Sequence, residues 1–116
     1  MAADIPKQVI SQRVVNIMEN STADAGTVEG AWFPVDVSAG RLRFSVESGT
    51  GGVVVIEGRD MHRSANGTTT AVDTALGSFR ADGVLVADNE PRFDYVRAKT
   101  TSKPSAGTAR VYLVRG

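Results

Sequence analysis

His62 is the one histidine in the chain, and it stands in the run Gly58 to Gly67, two residues after Asp60. Those two side chains could ligate a metal, but such a site takes three or four donors supported by further hydrogen bonds. A hydrolase would pair the imidazole with a nucleophile, and no motif here supplies one. A solvated histidine in a loop between strands is the simpler reading. Glu47, Glu57, Asp60 and Asp73 could include two facing carboxylates of the kind that cleave glycosides. Acids beside β-turns are common, so this pattern is unspecific. Gly49, Gly51 and Gly52 match neither the dinucleotide fingerprint nor the P-loop, and no Gly-Lys-Ser/Thr follows them. The expectation is a protein that is not an enzyme, with no cofactor and no metal.

Binding chemistry is richer. From Arg92 onward the chain holds Arg92, Arg97, Lys99, Lys103, Arg110 and Arg115 against a single acid, Asp94. That end is net +5, and because the whole is neutral the preceding residues are net −5. Two outcomes are open. The halves neutralise each other inside the fold or are simply solvated, or the basic end docks on an acidic partner surface or stacks head-to-tail on the acidic end of a sister subunit. The second singles out Arg92, Arg97, Lys99 and Arg110 as partner-binding residues. Trp32 joins them. Alternation over residues 32–37 puts Phe33, Val35 and Val37 on one face and Trp32, Pro34 and Asp36 on the other. Proline cannot donate a ladder hydrogen bond, so this strand belongs at a sheet edge. An outward tryptophan there is a natural interface anchor. The alternative is a Trp32 covered by the chain's own N-terminal segment. Phe93, Tyr95 and Tyr112 could stack on nucleic-acid bases, but core filling is the better use of them, and nucleic acid is disfavoured as a partner.

The elements that carry these residues are strands. Leu42, Phe44 and Val46 alternate with Arg43, Ser45 and Glu47, the period of a half-buried strand. After the break at 48–52, Val53 to Ile56 resumes, which reads as a β-hairpin whose second arm is a central strand. Short strands are expected at 69–72, 77–80 and 84–86. Residues 93–100 and 108–114 read as a closing basic hairpin, and residues 13–18 and 32–37 complete the set. Ile10, Val14, Ile17 and Met18 also fit helical spacing roughly, but Val and Ile favour extended backbone. About eight strands with turn signals every ten residues or so describe one all-β domain, an antiparallel β-sandwich of jelly-roll-like form. It spans residues 13–116. Residues 1–12, with Pro6 and few apolar side chains, read either as a frayed terminus or as an extended N-terminal arm able to add a strand to a neighbour.

Bulk properties agree. A chain of 116 residues makes one domain. There is no cysteine, hence no disulfide framework. No apolar run reaches membrane-spanning length, and the first residues lack the apolar core of a secretory signal, so cytosolic synthesis is expected.

The segment Phe93-x-Tyr95-Val96-Arg97-Ala98, a polar turn, and Gly107 to Leu113 resembles the end of small β-sandwich virion proteins of tailed bacteriophages. Val53 to Gly58 is similar to their central strand, and the likeness covers roughly residues 30–116. The resemblance implies a non-enzymatic structural virion protein made in the host cytoplasm. The first role it implies is a capsid decoration, or cement, protein that binds the major capsid protein and stabilises the head. Such proteins are homo-oligomers, often trimers on capsids. The second role is a tail or neck component of similar fold. A carbohydrate-binding module is a third reading. It requires exposed aromatics on one face, for which Trp32, Tyr95 and Tyr112 are the candidates.

Overall fold

The computed structural model describes residues 14–35, 41–88 and 93–115. The expected arm, residues 1–12, lies outside the described residues, as do Arg92, Asp36 and Val37. The strands are β1 (Val14–Ser21), β2 (Phe33–Pro34), β3 (Arg41–Glu47), β4 (Val53–Arg63), β5 (Thr69–Phe79), β6 (Gly83–Asp88), β7 (Tyr95–Ser102) and β8 (Thr108–Arg115). They form two four-stranded antiparallel sheets, ordered β1-β8-β3-β6 and β2-β7-β4-β5. Within the sheets β1 pairs with β8, β2 with β7, β3 with β6 and β4 with β5. This is the pairing of a long antiparallel ribbon folded over on itself, a jelly roll. The expected fold class is the observed one, and β1 is a strand where helical spacing was the alternative.

Alternation builds the core. Leu42, Phe44 and Val46 of β3 and Val111 and Leu113 of β8 point inward from the first sheet. Val54 and Ile56 of β4 and Val96 and Ala98 of β7 meet them from the second. As expected, β4 is a central strand, between β7 and β5.

Two expected hairpins are corrected. β3 and β4 lie in different sheets, and so do β7 and β8. Residues 48–52 and 103–107 are arches that carry the chain across the sandwich. Gly49 and Gly51 take φ of 65° and 76°, and Gly107 takes 73°. Such values suit glycine, but they serve an arch as well as an in-plane reversal. The two arches are joined to each other. The Thr50 amide donates to the Ala106 carbonyl at 2.8 Å, and the Ser105 amide donates to the Thr50 carbonyl at 2.8 Å. The local hairpin is instead β4–β5. It contains residues 58–63, expected in a loop between strands. The two short strands expected at 69–72 and 77–80 are one strand, β5, with a bulge at Leu76, since Ile56 pairs with Gly77 and Glu57 with Ala75.

A buried polar bond also joins the sheets. Asn20 of β1 is 0% exposed and Thr100 of β7 is 3% exposed. The Thr100 hydroxyl donates to Asn20 Oδ1 at 2.8 Å and accepts the Val28 amide at 2.9 Å. Thr100→Val keeps the shape and removes the hydroxyl, leaving the Val28 amide and Asn20 Oδ1 without that partner. We expect a loss of about 1–3 kcal/mol in urea unfolding, with an unchanged circular dichroism spectrum. Gly58 is held to glycine by Phe93, whose ring would lie 2.6 Å from an added Cβ. Gly58→Ala should cost about 1–3 kcal/mol in the same measurement, because the ring must move out of a packed position.

Candidate functional site

Trp32 sits on the outer face of the β2-β7-β4-β5 sheet, and the preceding loop delivers it there. Asp24 accepts the Ser21 amide at 2.7 Å and Asn20 Nδ2 at 3.0 Å. Asn20 Nδ2 also donates to the Gly26 carbonyl at 3.0 Å. The chain then runs along β7. The Thr100 amide donates to the Val28 carbonyl at 2.9 Å, Glu29 bridges to Lys99, and the Gly30 amide donates to the Ala98 carbonyl at 2.9 Å. A Cβ on Gly30 would come within 2.6 Å of the Ala98 carbonyl oxygen and 2.7 Å of that of Ile17, so the loop lies flat only because this residue is glycine. Asp24 is held below the ordinary carboxyl value of 3.8, first by the Ser21 amide and then by the Asn20 side chain.

Two guanidinium groups cover the indole. Arg59 Cζ is 4.0 Å and Arg97 Cζ 4.5 Å from the ring centroid. Each attraction between cation and ring adds to the packing. The half-buried Trp32 therefore packs against its own sheet's arginines. Pro34 and Tyr95 lie beside it, because Pro34 pairs with Tyr95 and Tyr95 with Arg59. β2 is the edge strand that Pro34 implies.

Acids from neighbouring strands hold the cations. Arg59 grips Asp73 with two bonds of 2.7 and 3.1 Å across the β4–β5 ladder. Asp73 is consequently lowered from 3.8, chiefly by that hydrogen bond, and Arg59 is raised by it. Arg97 Nε donates to Glu57 at 2.8 Å, Arg97 also reaches Glu29 at 3.4 Å, and Lys99 lies 3.4 Å from Glu57. Register explains the match: Glu57 stands directly opposite Arg97, and Arg59 opposite Asp73. Lys103 bonds the Asp24 carbonyl.

Of the residues expected to contact a partner, the structure brings Trp32, Arg97 and Lys99 together on one face. Arg110 is elsewhere, on the outer face of the other sheet, 2.7 Å from Glu19. Arg92 lies outside the described residues. Tyr95 shares the face of Trp32, and Tyr112, on β8, belongs to the opposite sheet. The sequence reading did not single out Arg59 for this face, and it weighed Glu57 and Asp73 only as catalytic acids. Alternating charge along residues 57–59 and 97–99 was the available signal, but it needs the knowledge that β4 pairs with β7. His62 is exposed on β4, opposite Thr70. Among the described residues no group of three or more His, Cys, Asp or Glu is placed to hold a metal ion.

Asp24 and Asp73 carry folded values below their ordinary ones, so the unfolded chain binds more protons in that range. The stability they add is present above pH 3.8 and is lost as pH falls through their lowered folded values. Acid titration of the unfolding midpoint should show this decline, and Asp24→Asn should flatten it. Arg97→Met removes a cation from Trp32, Glu57 and Glu29 together. We expect a loss of about 1–3 kcal/mol and a red-shifted emission from Trp32, the chain's one tryptophan.

No family model matches the chain. No curated protein matches it either. Among solved structures, the SPBc2 prophage-derived protein YomS superposes with a TM-score of 0.57 at 16% identity, over 88% of this chain and 89% of that one. A structure of infectious bursal disease virus, Gx strain, aligns at a TM-score of 0.32 and 10% identity, over 89% of this chain and 32% of that one, too weakly to bear on the fold. At this level of identity the likeness to the prophage-derived protein is one of fold.

Proposed function

We propose that the chain is a structural protein of a phage virion, and that it acts as a capsid decoration protein. The observation that carries this reading is the jelly-roll fold, which extends over most of both chains in the superposition with a prophage-derived protein. The chemistry of the outer face supports it. Arg59, Arg97 and Lys99 are matched by Asp73, Glu57 and Glu29, so the face is rigid and close to neutral. Such a surface suits a stiff body that adheres to a large flat partner. The Trp32 and Tyr95 patch, framed by these ion pairs, is the surface we assign to the major capsid protein. Trp32 gains contact area there without further ordering, since the arginines already hold it.

The test mixes purified protein with heads of the encoding phage prepared without it. Saturable binding, with added density at fixed positions on the capsid lattice, is the expected outcome. Trp32→Ala should weaken it at least tenfold, the loss typical of an anchor residue. Binding to isolated tails and not to heads would assign the protein to the tail or neck. Binding to neither, with specific retention on a glycan array, would replace the reading with carbohydrate recognition.

A further inference from the structure

The two long sides of the sandwich are built differently. On one side lie β1 and β2. There β2 is two residues long and carries Pro34, β1 is bulged between Asn16 and Met18, and residues 28–30 run along β7. Each feature discourages an added strand. On the other side lie β5 and β6. Among the described residues no strand pairs with the outer edge of β5. The β4–β7 ladder ends at Arg59 and Tyr95; beyond it, among the described residues, β4 and β5 pair with no strand but each other, and the Met61 amide donates to the Asp94 carboxylate at 2.7 Å. Every side chain from Thr69 to Ala75 is exposed, whichever face it points to, and Val72 is 49% exposed. A two-stranded ribbon is marginal in water by itself. The run before the bulge at Leu76 contains no proline and no lysine, and its one charge, Asp73, is held by Arg59.

The order of residues in that run suits a copy of itself. Val72 has a threonine two residues away on either side, Thr70 and Thr74, while Ala71 stands against Asp73 and Thr69 against Ala75. We propose that β5 pairs antiparallel with β5 of a second copy of this chain, across a two-fold axis at Val72. Val72 then faces Val72 of the second copy, and Thr70 faces Thr74 of the second copy. Ala71 faces Asp73 of the second copy, and Thr69 faces Ala75 of the second copy. Threonine pairs and β-branched pairs are favourable across antiparallel strands. A partner of opposite charge is not selected, because the edge presents no unmatched charge. An equally neutral edge of the same pattern fits it, and a two-fold places the same patch on both sides. Two four-stranded sheets become one continuous sheet, and the projecting ribbon is braced. This pairing does not depend on what the outer face binds.

The full chain lacks cysteine, so Val72→Cys introduces a single thiol. Opposed residues in an antiparallel pair have Cα atoms about 4.5–5.5 Å apart, within disulfide reach. Under mild oxidation Val72→Cys should give a covalent dimer much faster than Val14→Cys, on the far side of the sandwich. Sedimentation should show wild type as a concentration-dependent dimer and Val72→Lys as a monomer with an unchanged circular dichroism spectrum. Equal cross-linking rates, a wild-type monomer up to the solubility limit, a dimer that survives Val72→Lys, or the mass of a trimer would each overturn the proposal.

Discussion

One buried hydrogen bond organises the polar half of this protein: the Thr100 hydroxyl on Asn20 Oδ1, at 2.8 Å between strands of opposite sheets. Two desolvated groups satisfy each other there, and each has further bonds to make. Thr100 takes the Val28 amide, and Asn20 supplies Asp24 and the Gly26 carbonyl. A buried polar group is costly unless its capacity is filled, so the loop after β1 has little choice of path. It must descend along β7, and in doing so it brings Trp32 onto the sheet. The position of the most distinctive side chain on the surface thus follows from a bond at the end of the core.

The charge asymmetry of the chain is resolved in the same region. The basic C-terminal part supplies Arg97 and Lys99 to a sheet whose next strand offers Glu57, and Glu29 arrives on the pinned loop. Arg110 finds Glu19 on the other sheet. Long side chains that would otherwise wander are held by partners on a neighbouring strand or on the loop, and the indole lies against two of them. Such pairs add modest stability singly. Their larger effect is to make the face stiff, with its potential nearly cancelled at close range.

The jelly roll also explains why β4 and β5 project. A ribbon folded over on itself has one tip, and here the tip is the β4–β5 hairpin. Both strands are eleven residues long, longer than any other strand described. Their distal halves extend beyond the partners that β7 and β2 provide. The sandwich therefore has a blunted side, where proline, a bulge and an overlaid loop occupy the edge, and an open side, where seven exposed residues carry one matched charge.

What the sequence determined by itself was that the chain is built of strands and, within a strand such as β3, the face each residue takes. Two-residue alternation is a local property of extended backbone, so Leu42, Phe44 and Val46 are inward wherever their strand is placed. Pro34 likewise announces an edge because its missing amide is local. Partnership is different. The glycine-rich segment 48–52 and the Pro-Gly segment 103–107 permit a reversal within one sheet or an arch between two, and the same positive φ values serve both. Only the packing of the whole decided for arches. It alone could bury Leu42 and Phe44 of one sheet against Val54, Ile56 and Val96 of the other. The surface site was illegible for the same reason. Arg59 meets Trp32 and Asp73, and Glu57 meets Arg97, through pairings between strands far apart in the chain, and no local pattern encodes which strands will be neighbours.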